Sequence, residues 1–70
     1  MNSDISKMFA TKLQELRLSK NLSKSRLSEL AGLDLSYIGK IERCEKSPNL
    51  RTIAKLATAL DVPIKELFDF

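Results

Sequence analysis

Seventy residues, 43% hydrophobic and 30% charged, make one small domain and leave no room for a second, and the mixture is that of neither a disordered nor a fibrous chain. No apolar run approaches the ~18 residues that span a bilayer, the first residues lack the basic-then-apolar pattern of a secretory signal, and one cysteine, Cys44, cannot form an internal disulfide; together these point to the reducing cytoplasm. A net charge of +3 and a pI near 9.2 favour a polyanionic partner, because positions 20–51 hold seven basic and four acidic side chains, whereas the last ten set Lys65 against Asp61, Glu66 and Asp69.

The spacing of Ile5, Phe9, Leu13 and Leu16, with Met8 widening the stripe, predicts a first helix over 5–19, capped by Ser3 or Asp4 and closing near Lys20 and Asn21. Leu22 then returns to the core. Ser23, whose hydroxyl can accept from the amide of Ser25 or Arg26, opens a second helix over 24–31 with Leu27, Leu30 and Ala31 as its buried face. Gly32 follows at once and supplies the positive φ that turns the chain. Leu33 pins that turn, and Asp34 caps a third helix over 35–42. Eight residues are too few for an isolated helix, so this one forms only if its neighbours clamp it. Ile38 and Ile41 share the face to be clamped, while Leu35, Ser36, Gly39 and Lys40 fall on other faces.

The third helix stops near Arg43 and Cys44, ahead of Ser47 and Pro48, since the residue before a proline is pushed out of helical geometry. Asn49 caps a fourth helix over 50–60, the most periodic segment of the chain, with Leu50, Ile53, Ala54, Leu56, Ala57 and Leu60 on one face. Asp61, Val62 and Pro63 break it, and Pro63 suits the first turn of a short fifth helix over 64–69 that carries Ile64, Leu67 and Phe68. There is no alternating β-rich run, hairpin dipeptide or internal repeat. The predicted fold is all-α: five helices with connections of a few residues, in a single domain over 1–70.

The most informative constellation lies within positions 23–42: a short capped helix, Gly32 at the corner, and a second short capped helix. Two helices joined by a tight turn cross steeply, so one can lie across a DNA backbone while the other enters the groove, although helical hairpins without a DNA role share the pattern. To this are added Leu22-Ser23, Leu27, Gly32, Ser36-Tyr37-Ile38, Lys40-Ile41-Glu42-Arg43, Ser47-Pro48, Leu50, Ile53, Leu56-Ala57, Ala59-Leu60 and Leu67. With these residues in this order the chain resembles, without gaps over about 9–68, the helix-turn-helix domain of the Cro/CI repressor family, also called the XRE family. The resemblance implies a compact, lambda-repressor-like domain of five helices. The second and third helices would form the helix-turn-helix, and a homodimer would bind a palindromic operator in double-stranded DNA to regulate transcription. A small controller of restriction-modification genes is one variant of that expectation.

Carried over position by position, the resemblance puts the base-reading residues at Leu35, Ser36, Gly39 and Lys40. Lys40 can donate to guanine O6 or N7, Ser36 can pair with several base edges, and Leu35 can pack on a thymine methyl. Gly39 reads nothing directly; either the backbone approaches DNA closely there or crowding is relieved. Contacts to the DNA backbone fall on Lys24, Tyr37, Arg43, Lys46, Asn49 and Arg51. Arg17 lies one position beyond Leu16, beside the apolar stripe of the first helix, and the resemblance pairs it with Glu42 as a largely buried ion pair. Cys44 and Asp61 depart from the family pattern, which has glycine at both places. Both sites are expected to be left-handed, a conformation that aspartate tolerates better than cysteine.

Phe68 and Phe70 have few residues left to cover them, so Ile64, Leu67, Phe68 and Phe70 are the expected dimer interface. Catalysis is not expected. The chain has no histidine, glycine-rich phosphate loop or metal-ligand spacing, and Cys44 has no candidate base. No cofactor, metal, membrane or small-molecule ligand is implied. The competing reading is an antitoxin or other protein-interaction module that keeps this fold and acts mainly through a protein partner.

Overall fold

The computed structural model describes residues 4–70. Its elements are α1 (Asp4–Ser19), α2 (Lys24–Leu30), α3 (Tyr37–Glu42), α4 (Leu50–Leu60) and a terminal 3-10 helix (Ile64–Phe68), with no strand among the described residues. α1 packs on α3 and on the 3-10 helix, α2 packs on α3 and α4, and α4 packs on the 3-10 helix. The core where they meet is built from Phe9, Leu13, Leu27, Ile38, Ile41, Leu56, Leu60 and Leu67. Each Leu or Ile side chain taken fully out of water there contributes about 1.5–3 kcal/mol. α3, only six residues long, owes its helical state to Ile38 and Ile41 in this core.

Local chemistry sets the ends of the helices. The Ser23 hydroxyl accepts from the Arg26 amide, and the Asn49 side-chain oxygen accepts from the Thr52 amide, so α2 and α4 start where their caps lie. All four α-helices close with the same pair of hydrogen bonds. The amides of Leu22, Leu33, Glu45 and Val62 donate to the carbonyls of Arg17, Ser28, Lys40 and Ala57, while those of Asn21, Gly32, Cys44 and Asp61 donate to Leu18, Glu29, Ile41 and Thr58. This arrangement satisfies carbonyls left over at a helix end and needs a left-handed residue within it. Asn21, Gly32, Cys44 and Asp61 take that role with φ of 58°, 69°, 60° and 57°. After three of these ends the next residue, Leu22, Leu33 or Val62, folds onto the core. After α3 the corresponding residue is the exposed Glu45.

Several expectations are corrected. The proposed cap Ser3 lies outside the described residues, and Asp4 is the first residue of α1. Ile5 and Met8 are exposed, and Ile5 lines an open groove with Phe9, Pro48 and Phe68. In α2 the buried face is turned by one position. Leu30 is exposed, whereas Ser28 is fully buried with its hydroxyl donating to the Leu35 carbonyl at 3.4 Å, and Ala31 is the C-cap. Leu50, the first residue of α4, is 81% exposed, and Ala54 is exposed as well.

α3 begins at Tyr37 rather than at position 35. Leu35 and Ser36 form a turn in which the Tyr37 amide donates to the Asp34 carbonyl, and the Asp34 carboxylate accepts from the Ser36 hydroxyl. The last element is a 3-10 helix, the form usual for such short pieces. Pro63 sits just before it in extended conformation, with its carbonyl accepting from the Glu66 amide.

Candidate nucleic-acid interface

α3 has an inner side fixed to the rest of the molecule and an outer side left open. On the inner side Arg17 reaches from α1: its Nε donates to Glu42 Oε2 at 2.8 Å, its Nη2 to Oε1 at 3.2 Å, and its Nη1 to the Leu22 carbonyl at 2.8 Å. The two side chains are 7% and 5% exposed. One guanidinium therefore ties the end of α1, the turn after it and the end of α3 together, with its charge matched inside the protein.

On the outer side Leu35 and Ser36 are exposed and Lys40 is half-buried. The Ser36 hydroxyl donates to Asp34 Oδ2 at 2.6 Å. That bond is the main cause holding the Asp34 carboxyl below its ordinary value, against desolvation and aided by the Ser36 amide and the Lys40 charge. Gly39 does not face open space. It is buried beneath the Arg43 side chain one turn later, and a Cβ added to it would come within 2.9 Å of Arg43 Nη1. Arg43 is in turn held by Glu45, with Nε donating to Oε2 at 2.8 Å and Nη2 to Oε1 at 3.3 Å. The pairing raises the Arg43 pKa and lowers that of Glu45, in each case chiefly through the hydrogen bond.

Three further cations belong to the elements next to α3 or to the segment after it. Lys24 is exposed at the start of α2, Lys46 holds its Nζ 5.8 Å from the centre of the half-buried Tyr37 ring, and Arg51 is exposed in the first turn of α4. Asn49 spends its side-chain oxygen on the cap of α4. Arg26 is paired with Glu29 at 2.7 Å. Sequence reasoning did not single out Asp34 or Glu45 as partners of the outer face. Glu45 lies two positions from Arg43 across a left-handed residue, a relation that no helical period announces.

Phe68 is exposed and leans on Phe9, with ring centres 5.4 Å apart at 43°, in a groove it shares with Cys44, Lys46 and Pro48 of the segment after α3, and Phe70 leans on Phe68 at 6.3 Å and 52°. Ile64 is exposed as well. Leu67 is 0% exposed and belongs to the monomer core, so it cannot line an interface; the apolar patch is Ile64, Phe68 and Phe70. Among the described residues no acidic or cysteine cluster could hold a metal ion, and no helix is long and apolar enough to cross a membrane.

Residues 13–67 match the helix-turn-helix family. The chain is 40% identical over 60 residues to the HTH-type transcriptional regulator SutR of Escherichia coli strain K12, covering 86% of this chain and 34% of that one. It is 38% identical over 71 residues to the control protein C.BamHI of Bacillus amyloliquefaciens, covering 100% of this chain and 88% of that one. Its fold is similar to the crystal structure of the restriction-modification controller protein C.AhdI from Aeromonas hydrophila, with a TM-score of 0.87 and 48% identity over 90% of this chain and 96% of that one.

Proposed function

The chain belongs to the helix-turn-helix family, of the Cro/CI or XRE type, and on that premise we propose that it is a controller-type transcriptional regulator that binds a palindromic operator in double-stranded DNA as a homodimer. α2 and α3 form the helix-turn-helix, and α3 is the recognition helix. The observation that carries this reading is the two-sidedness of α3. Ile38, Ile41 and the Arg17–Glu42 pair anchor it from within, and Leu35, Ser36 and Lys40 remain on its outer side.

Each outer side chain has a role in this reading. Lys40 donates to guanine, and Leu35 packs on a thymine methyl. Ser36 has already committed its proton to Asp34, so toward DNA its oxygen acts as an acceptor and suits cytosine N4 or adenine N6. Lys24, Tyr37, Lys46, Asn49 and Arg51, all reached by solvent, hold phosphates in this reading, which position the domain without reading sequence. Ile64, Phe68 and Phe70 form the self-complementary patch. A two-fold axis there would present two copies of α3 about 34 Å apart, one turn of DNA.

Selection of bound duplexes from a random library tests the whole reading. The expected result is a palindromic motif whose affinity falls steeply with salt. A failure to enrich any motif, together with a stoichiometric protein that co-purifies with the chain, would favour the protein-interaction alternative and overturn the reading. Sedimentation at micromolar concentration tests the dimer: wild type should be heavier than Phe68→Asp, and equal monomeric masses would remove the patch from the account.

A further inference from the structure

We infer that Arg43 reads a guanine in the major groove through its Nη1/Nη2 edge, and that Glu45 is the residue that positions it. This rests on the DNA-binding reading above and gives Arg43, which the family resemblance places among the contacts to the DNA backbone, a part that specifies sequence. Three observations lead there.

The first is place. Arg43 lies four residues after Gly39, and its guanidinium covers the bare Gly39 backbone on the outer side of α3, the side that carries Leu35, Ser36 and Lys40. A side chain at position 39 would meet Nη1 at 2.9 Å, so the glycine is what lets the guanidinium lie there.

The second is which donors remain. Glu45 accepts from Nε and Nη2, the lateral edge of the guanidinium. Bidentate recognition of guanine O6 and N7 needs two donors on one edge, and the Nη1/Nη2 edge still presents them. Both partners stay about half exposed, at 54% and 53%, so the arrangement is open to a ligand.

The third is charge. Phosphate neutralisation draws on net positive charge, and a cation beside a carboxylate has little left to give. Hydrogen-bond direction survives this pairing, because the carboxylate fixes the plane of the group. A cation meant for phosphate gains nothing from such a partner, whereas one meant for a base edge gains orientation. The chain also spends a core contact on the arrangement. At the other three α-helix ends the residue after the left-handed one is apolar and packs inward, and only after α3 is it a carboxylate turned onto the helix.

The test is selection from the random library, repeated with Arg43→Ala, Glu45→Gln and Gly39→Ala, with binding to the wild-type motif measured across a salt series. Arg43→Ala should relax preference at one base pair of each half-site, a loss of about 5- to 150-fold in discrimination there, with the rest of the motif intact. Glu45→Gln removes a negative charge, so it should tighten binding to every sequence while lowering discrimination at that same base pair. Gly39→Ala should raise the melting temperature, by relieving the cost of glycine within a helix, and still lower discrimination, because the new methyl displaces the guanidinium. If wild type yields a motif but Arg43→Ala weakens all sequences alike and shallows the salt slope by about one, Arg43 is a phosphate contact and the inference is overturned. If Arg43→Ala behaves as expected and Glu45→Gln leaves discrimination unchanged, the positioning role of Glu45 is overturned. If wild type itself yields no motif, it is the DNA-binding reading that fails.

Discussion

Two arginine–glutamate pairs bracket the end of α3, and their geometry is nearly the same. Arg17 reaches Glu42 through Nε at 2.8 Å and Nη2 at 3.2 Å, and Arg43 reaches Glu45 through the same atoms at 2.8 and 3.3 Å. What differs is the surroundings. The first pair is almost wholly enclosed and also holds the Leu22 carbonyl, while the second is half in water. Removing one member of an enclosed pair strands a charge that water cannot reach, whereas water replaces a lost partner at the surface. Equal bonds thus do unequal work: the inner pair sets where α3 lies, and the outer pair sets which way one of its side chains points.

The largest effect should come from breaking the inner pair. Arg17→Ala should lose about 3–5 kcal/mol in urea unfolding. Lys12→Ala, which removes a 4.0 Å contact with Glu15 and a side chain that is 19% exposed, should lose no more than about 1 kcal/mol. Equal midpoints for the two variants would mean that the enclosed pair carries no more stability than the looser, half-open one.

A smaller effect should follow from the left-handed residue between the two glutamates. Cys44 holds φ at 60° without being glycine, so Cys44→Gly should raise stability by about 0.5–1 kcal/mol after allowing for the greater freedom of glycine in the unfolded chain. Calorimetry that shows a loss would mean that the half-buried thiol contributes more by packing than its backbone costs.

The smallest effect belongs to the outer pair. Glu45→Gln should leave the thermal midpoint where it is. Its signature is in pH. The Glu45 carboxyl is lowered from an ordinary value of 4.5, so whatever it adds to stability is complete above that value and is lost as pH falls through the lower, folded-state value. Asp34, lowered chiefly by the Ser36 hydroxyl, behaves with the same sign. Discrimination at the base pair assigned to Arg43 should therefore be flat from about pH 5.5 to 8 and fall only in acid. A change near neutrality would point to a different titrating group.

How much of this the sequence discloses depends on the range of the signal. The i, i+3, i+4 pattern of Ile53, Leu56, Ala57 and Leu60 names the face that α4 buries, and Ser23 and Asn49 disclose the helix starts that they cap. The all-helical architecture follows from such local patterns. Burial at helix ends does not. Ile5 and Leu50 fit their stripes and still face solvent, because periodicity names a face and not how far along the helix that face is covered. α2 has seven residues, so its apolar face is fixed only to within one position, and Ser28 rather than Leu30 is inside because the neighbouring turn offers the Leu35 carbonyl to its hydroxyl. The arrangement over Gly39 is hidden for a different reason. It depends on a left-handed turn swinging Glu45 back, and no periodicity relates residues across such a turn.

Arg17 has one more consequence, and it concerns time rather than stability. Its bonds to Glu42 join positions 25 apart, and they close only once α3 has settled against α1. Interactions completed that late act on the rate of escape from the native state more than on the rate of reaching it. Without them, a six-residue helix held by two isoleucines can detach while α1 and α4 remain paired with the C-terminal turn. Amide hydrogen exchange would register this as fast exchange confined to α3, and the lifetime of a bound complex would then be limited by how often its reading element comes loose.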